Sequence, residues 1–184
     1  MDHFYQNIGE DWFTYAPLYK EMVETNSDGA HFVEVGSWKG RSASYMAVEI
    51  HNSNKKIKFD CVDTWKGSSN EEFHMNDELV KSDKLYEEFI KNTNSVAHII
   101  NPVRMTSIEA SKLYEDNSLN FVFIDACHTY ECVKEDIIHW LPKVKNGGMI
   151  SGHDFNSPDV QKAVVEYFDQ VYHNPYLDIW FYRK

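Results

Sequence analysis

Short apolar runs alternate with amphipathic stretches along the chain about five times. The clearest run is NFVFI at residues 120–124, which is continuous, aromatic and β-branched, as a parallel strand buried on both faces should be. The remaining runs predict strands at residues 31–35, 56–63, 97–103 and 149–151. Apolar residues at helical spacing predict helices at residues 11–24, 41–50, the later half of 71–92, 107–114, 131–141 and 158–168.

The pattern changes near the end of the chain. Residues 170–173 and 178–182 flank Asn174-Pro175, which predicts a closing hairpin. Alternating strands and helices followed by a hairpin predict an α/β fold of the Rossmann-like, doubly wound kind. Its sheet is expected to be seven-stranded and mostly parallel, with a C-terminal antiparallel hairpin and helices on both faces. No repeat or linker interrupts the pattern, so we expect one domain over residues 1–184, with residues 1–27 as an N-terminal helical cap.

The composition of the chain limits the classes of partner that it is expected to bind. Hydrophobic residues make up 42% of the 184 residues and the formal net charge is −11. Such an acidic surface repels phosphate groups, so we expect a small-molecule partner, no nucleic acid and no membrane. The N-terminus lacks the basic and apolar regions of a signal peptide. The three cysteines are expected to be free thiols. Both observations predict a cytoplasmic protein. Aromatic residues near both termini would allow a homodimer.

Open parallel sheets bind ligands beyond the carboxyl ends of their strands, so those positions carry the candidate chemistry. The first strand ends in Glu34-Val-Gly36, where glycine permits a tight turn and the carboxylate suits a positively charged ligand group. Trp38 stands where a dinucleotide-binding fold needs a second glycine, which disfavours a pyrophosphate. The alternative for this stretch alone is an ordinary turn with a buried glutamate. Asp63 ends the second strand and could accept hydrogen bonds from ribose hydroxyls, or serve only as a turn former.

The fourth and fifth strand ends carry titratable groups. Asp125 and His128 follow residues 120–124, and His153 with Asp154 follows the next strand. Neighbouring parallel strands end at the same edge, so these four side chains could converge on one crevice. Two carboxylates and two imidazoles suit a divalent metal ion, and a histidine also suits general base catalysis. The alternative is that one or both histidines cap helices or bond to the backbone.

The segments VEVGSWKGRS, CVDTWKGS and FVFIDACHTYECVKEDIIHWLPKVKNGGMISGHDF resemble successive motifs of class I S-adenosylmethionine (SAM)-dependent methyltransferases, and more narrowly methyltransferase family 24. The resemblance covers residues 32–168. It implies SAM as cofactor, with Glu34 and Gly36 at its methionyl end, Asp63 on its ribose, and Ser107 with Ile108 beside its adenine. The full set expected around the cofactor is Glu34, Gly36, Ser37, Trp38, Gly40, Ser42, Asp63, Trp65, Ser107, Ile108 and Asp125.

The resemblance also implies chemistry at the later motifs. Asp125 and Asp154 match positions that bind magnesium in metal-dependent relatives, with His153 as a substitute ligand because Phe155 stands where those relatives have Asp or Asn. We therefore predict O-methylation of a hydroxyl on a small polar acceptor such as a sugar or natural product. His128, His153 and Asp154 are the expected catalytic residues, with either histidine as the base and Mg²⁺ as a hypothesis. A noncatalytic SAM-binding scaffold and, less favoured, a nicotinamide-dependent oxidoreductase are the alternatives.

Overall fold

A computed structural model describes residues 1–184 and contains seven strands and eight α-helices, with three short 3₁₀ segments. The strands are β1 (His31–Val35), β2 (Lys58–Asp63), β3 (Ile100–Arg104), β4 (Leu119–Ile124), β5 (Val144–Gly152), β6 (Tyr172–Asn174) and β7 (Ile179–Arg183). The helices are α1 (Ala16–Thr25), α2 (Arg41–Ser53), α3 (Glu72–Asn76), α4 (Glu78–Lys81), α5 (Leu85–Thr93), α6 (Ser107–Ser111), α7 (Tyr130–Trp140) and α8 (Pro158–Tyr167).

The strands form one seven-stranded sheet in the order β3-β2-β1-β4-β5-β7-β6. Strands β1 to β5 pair in parallel, and β7 joins β5 and β6 antiparallel, so the predicted doubly wound architecture with a closing hairpin is confirmed. In the register, Ile124 lies opposite Val35 on one side and Gly152 on the other. The ends of β1, β4 and β5 therefore lie level, which brings the residues that follow them to one edge.

Two hydrophobic clusters cover the two faces of the sheet. One includes apolar residues of α1, α2 and α5, and the other includes those of α6, α7 and α8. The central strand β4 contributes to both, because Phe121 and Phe123 face the first cluster and Val122 and Ile124 the second. This two-sided burial explains why its sequence is an unbroken apolar run rather than an alternating one.

Local signals set where several helices begin. Thr106 and Glu109 form a reciprocal capping box on α6, and the Thr129 hydroxyl accepts a hydrogen bond at the start of α7. Pro17 lies in the first turn of α1, where a missing N–H costs nothing. Helix α1 therefore begins at Ala16 rather than at the expected residue 11, and residues 11–15 are free to line a cavity.

Other bounds also differ from the prediction. The helix predicted in the later half of 71–92 is present as α5, and two short helices that were not predicted, α3 and α4, precede it. Strand β5 begins at Val144 and passes through Gly147, whose φ of +80° accompanies an irregular register between Leu119 and Phe121 of β4. Glycine at positive φ is typical of turns and bulges, and the sequence pattern alone therefore placed the strand start too late. None of the helices combines the length and apolarity that crossing a bilayer requires.

Candidate active site

Two adjoining cavities open at the carboxyl ends of the parallel strands. The first, of about 350 Å³, extends from the ends of β1 and β2 to α6 and α7, and the second, of about 460 Å³, lies between residues 9–15, the turn after β1 and the turn after β5. Both volumes are in the range of small-molecule sites. Five residues line both cavities and form the wall between them: Gly36, Trp38, His74, Asp125 and Ala126.

The turn after β1 depends on glycine at two points. Gly36 has a φ of +92°, and a Cβ built there would lie 1.9 Å from the carbonyl oxygen of Asp125. The absent side chain therefore allows close approach of two backbone segments, not only of a ligand as the sequence suggested. Gly40 has a φ of +88° and begins α2 against Phe89 and Thr93.

Glu34 lies behind this turn. Its side chain is fully buried and accepts hydrogen bonds from Tyr19 Oη at 2.8 Å and Ser42 Oγ at 3.0 Å. Burial raises the pKa of Glu34 to about 7, although both hydroxyls act to lower it. Glu34 lines neither cavity. Its position therefore matches the alternative given for this stretch from the sequence, an ordinary turn with a buried glutamate. Its contact with the methionyl end of SAM stays a prediction.

Asp63 holds the same turn from β2. One carboxylate oxygen accepts from the backbone N–H groups of Ser37 and Trp38, both at 2.9 Å, and the other accepts from Trp65 N at 2.7 Å. Burial raises the pKa of Asp63, and these three N–H groups oppose the rise. Asp63 thus organises the loop and also lines the first cavity, so the two readings of this residue are compatible.

Ser107 and Ile108 line the first cavity opposite Gly36. The Ser107 hydroxyl donates to Asp136 Oδ1 and accepts from Trp140 Nε1 at 2.8 Å. Asp136 is itself a cavity residue, and burial raises its pKa to about 6. Asp136 was not among the predicted site residues, because it lies within α7 rather than at the end of a strand.

The aromatic residues divide between the cavities and the core. Trp38, at a φ of 45°, stacks on His74 with ring centroids 4.2 Å apart, and Trp12 and Phe73 meet edge to face at 5.0 Å beside the second cavity. Trp65, also expected at the cofactor, is fully buried against Phe89 and lines neither cavity. His74, which was not among the predicted site residues, lies in the shared wall.

The four titratable groups expected at one crevice do converge. His128 Nε2 lies 3.0 Å from Asp154 Oδ2 and 3.7 Å from Asp125 Oδ1. His153 Nδ1 lies 3.2 Å from the same Asp154 oxygen and 3.7 Å from the same Asp125 oxygen. Asp154 has a φ of 55°, a left-handed conformation that is uncommon for a residue with a side chain and recurs at functional sites.

These groups set one another's charges. Burial lowers the pKa of each histidine, but the two carboxylates outweigh it and raise the pKa of His128 to about 11 and that of His153 to about 10. Burial raises the pKa values of Asp125 and Asp154, and the two imidazoles outweigh it and hold both well below the ordinary range. Without a further ligand, the cluster is therefore two imidazolium–carboxylate pairs at neutral pH.

The N-terminal segment contacts this cluster from one side. Tyr15 Oη donates to Asp125 Oδ2 at 2.8 Å, and Thr14 Oγ1 lies 3.0 Å from His153 Nε2. Neither residue could be identified from the sequence, because their contacts depend on how the chain preceding α1 folds over the strand ends.

A divalent cation fits the cluster by its donor atoms. One donor atom from each of Asp125, His128 and Asp154 lies within 4.8 Å of the others, as is also the case for His153, Asp154 and Asp178. His128 Nε2 is buried and has no well-aligned hydrogen-bond partner. Imidazole ligands suit Fe²⁺ or Zn²⁺ better than Mg²⁺, which prefers oxygen. Phe155 is buried against His173 and offers no ligand.

Comparison with known proteins gives a family and a fold. A family model described as a methyltransferase domain, Methyltransf_24, matches residues 33–155, about two thirds of the chain. An uncharacterized protein of Sinorhizobium fredii, y4gI, is 25% identical over 160 residues, which are 87% of this chain but only 17% of that protein. The chain thus spans about a sixth of the curated relative that it matches.

Solved structures agree on the architecture. The O-methyltransferase NovP superposes with a TM-score of 0.66 at 18% identity, covering 93% of this chain and 79% of NovP. Fibrillarin from Aeropyrum pernix, solved with natively bound SAM, gives a TM-score of 0.59 at 12% identity, covering 92% of this chain and 76% of fibrillarin. At these identities the likeness establishes the fold alone.

Proposed function

The chain belongs to the methyltransferase 24 family of class I SAM-dependent methyltransferases, and from that premise we propose that it methylates a hydroxyl oxygen of a small polar acceptor. The observation that carries this proposal is the pair of cavities that share Gly36 and Asp125, with the cluster of Asp125, His128, His153 and Asp154 on the side of the second cavity. A group-transfer enzyme needs two ligand sites whose reacting atoms meet at a common wall.

The first cavity is the proposed SAM site. Asp63 and Asp136 supply acceptor oxygens for hydroxyl and amino groups, while Ile108 and Val62 supply apolar surface. SAM, when bound, provides a methyl group attached to a sulfonium sulfur. An oxygen nucleophile can attack that methyl carbon in line with the carbon–sulfur bond, which breaks and releases S-adenosylhomocysteine. The shared wall at Gly36 and Asp125 would hold that methyl group toward the second cavity.

The second cavity is the proposed acceptor site. Its carboxylates and the exposed rings of Trp12 and Phe73 combine hydrogen-bond acceptors with flat apolar surface, which suits a hydroxylated molecule such as a sugar or natural product. Asp154 would accept a hydrogen bond from the reacting hydroxyl. His153 is the preferred base, because both ring nitrogens of His128 face carboxylates, those of Glu71 and Asp154, and hold that ring as an imidazolium. His153 is also an imidazolium in the free cluster, but its ion pairs with Asp125 and Asp154 both involve Nδ1, and once that nitrogen has released its proton it would take the proton of the hydroxyl.

A metal ion is a separate part of the proposal. Asp125, His153 and Asp154 would hold it, with His128 as a further ligand, and a bound cation would lower the pKa of a coordinated hydroxyl. With the metal bound, His153 would be a ligand and not the base. Addition of EDTA followed by return of Mg²⁺, Mn²⁺ or Zn²⁺ measures whether turnover depends on a metal and on which one. Unchanged turnover after EDTA treatment would remove the metal and leave the two-cavity proposal intact.

Methyl transfer from labelled SAM to a panel of hydroxylated acceptors tests the main proposal. Replacing Asp154 with asparagine should reduce turnover at least 100-fold and leave SAM affinity nearly unchanged, because Asp154 lines only the second cavity. Asp116→Asn is the matched control, since this exposed carboxylate pairs with Lys143 beside the start of β4, at the opposite edge of the sheet. SAM binding without transfer to any acceptor would favour the noncatalytic scaffold, and equal turnover in both variants would remove Asp154 from the catalytic residues.

A further inference from the structure

One hydroxyl group of the N-terminal segment lies between the backbone and the ring of His153. Thr14 Oγ1 donates to the carbonyl oxygen of Leu177 at 2.6 Å and lies 3.0 Å from His153 Nε2. Thr14 lines the second cavity. The ring of the next residue, Tyr15, packs near that of His153, with the two ring centroids 5.0 Å apart. Thr14 therefore contacts the ring at the nitrogen opposite the one that faces Asp154.

The number of available protons decides which atom donates in each of the two hydrogen bonds of Thr14 Oγ1. A threonine hydroxyl has one proton, and a carbonyl oxygen can only accept. The proton of Thr14 is committed to Leu177 O, so Thr14 Oγ1 can only accept from His153 Nε2. The Nε2 nitrogen must then carry a proton in this arrangement.

The opposite nitrogen has different neighbours. His153 Nδ1 faces Asp154 at 3.2 Å and Asp125 at 3.7 Å. The ring therefore lies between a hydroxyl acceptor at Nε2 and two carboxylates at Nδ1, and the Thr14 contact fixes which nitrogen is directed at the cluster.

We propose that Thr14 is a positioning residue that accepts a hydrogen bond from His153 Nε2 and so holds the ring with Nδ1 directed at the cluster beside the second cavity. The inference rests on the proposed function, because it assigns Thr14 a role in making His153 the base. His128 has no comparable partner, since carboxylates flank both of its ring nitrogens.

Two substitutions separate this role from simple packing. Thr14→Val keeps the shape of the side chain and removes the hydroxyl, whereas Thr14→Ser keeps the hydroxyl. We expect Thr14→Val to lower kcat about 10- to 100-fold with little change in the KM for SAM, and Thr14→Ser to restore kcat. Thermal unfolding of both variants verifies that each is folded.

A spectroscopic measurement tests the hydrogen bond independently of activity. With ring-¹⁵N-histidine and S-adenosylhomocysteine present, the Nε2–H of His153 should give a slowly exchanging proton signal in the wild type and in Thr14→Ser. The signal should be lost in Thr14→Val, and a His153→Gln spectrum assigns it. A protected Nε2–H or a wild-type kcat in Thr14→Val would overturn the inference. If the wild type methylates no acceptor, the proposed function fails, while the spectra still decide whether Thr14 holds the ring.

Discussion

Gly29 and Gly36 both have positive φ angles, of +81° and +92°, but only Gly36 is packed against another strand end. A Cβ at position 29 meets nothing within 4 Å, whereas one at position 36 would lie 1.9 Å from Asp125 O. Gly29→Ala should therefore cost only the strain of the left-handed conformation, about 1–2 kcal/mol of unfolding free energy.

Gly36→Ala should cost more than about 4 kcal/mol, because backbone must move in addition to the strain. Urea unfolding of both variants measures the difference, and SAM binding by any folded Gly36→Ala protein reports on the shared wall. Similar losses of stability in the two variants would contradict the packing argument.

Glu34 links residue-scale burial to the pH dependence of stability. Its pKa is about 7 in the folded protein and near 4.5 when exposed, so the folded state binds the proton more tightly. Stability from this group is fully present below pH 4.5 and is lost as the pH rises through 7. The loss is on the order of 3 kcal/mol.

Glu34→Gln cannot ionise, so its unfolding free energy should fall less than that of the wild type between these pH values. Urea titrations at several pH values measure both proteins. Parallel curves would show that Glu34 does not titrate in this range. Glu49→Gln is a suitable control, because Glu49 lies on the outer part of α2 beside His3.

At the scale of elements, α1 and the residue before it connect to two strand ends through two tyrosines. Tyr15 donates to Asp125 after β4, and Tyr19 donates to Glu34 in β1, each at 2.8 Å. Only Asp125 lines the cavities, so the two hydroxyls should have different consequences.

Tyr19→Phe should lower the unfolding free energy by about 1–3 kcal/mol, because a buried carboxyl loses a donor, and should leave kcat nearly unchanged. Tyr15→Phe should lower kcat, because Asp125 loses the group that orients it. Steady-state kinetics and urea unfolding of both variants provide the comparison. A loss of kcat in Tyr19→Phe as large as that in Tyr15→Phe would mean that α1 acts on the site as a unit.

At the scale of the whole molecule, ligand binding should raise the temperature of unfolding. S-adenosylhomocysteine at 100 times its Kd would stabilise the folded state by about 2.7 kcal/mol. In a domain of this length that corresponds to roughly 5–10 °C. NAD should give no shift, because Trp38 takes the place of the glycine that a pyrophosphate needs. A shift with NAD and none with S-adenosylhomocysteine would contradict the assignment of the first cavity.

Much of this architecture can be predicted from residue patterns. The run at residues 120–124 indicated a central buried strand, and the register of β4 with β1 and β5 confirms it. Side-chain periodicity reports burial, and burial decides which elements form, so the order of strands and helices could be predicted. The starts of α1 and β5 could not, because Pro17 and Gly147 act through local backbone geometry that apolar spacing does not record.

The sequence by itself determined that Asp125, His128, His153 and Asp154 follow neighbouring parallel strands and therefore meet at one edge. Only the tertiary structure decided what surrounds them. In the fold, Glu34 and Trp65 are buried in the interior, whereas Asp136 and His74 line the cavities. Thr14 and Tyr15 contact the cluster. The reason is physical: chain order fixes which strand ends are adjacent, whereas the direction of each side chain depends on contacts between segments far apart in the sequence.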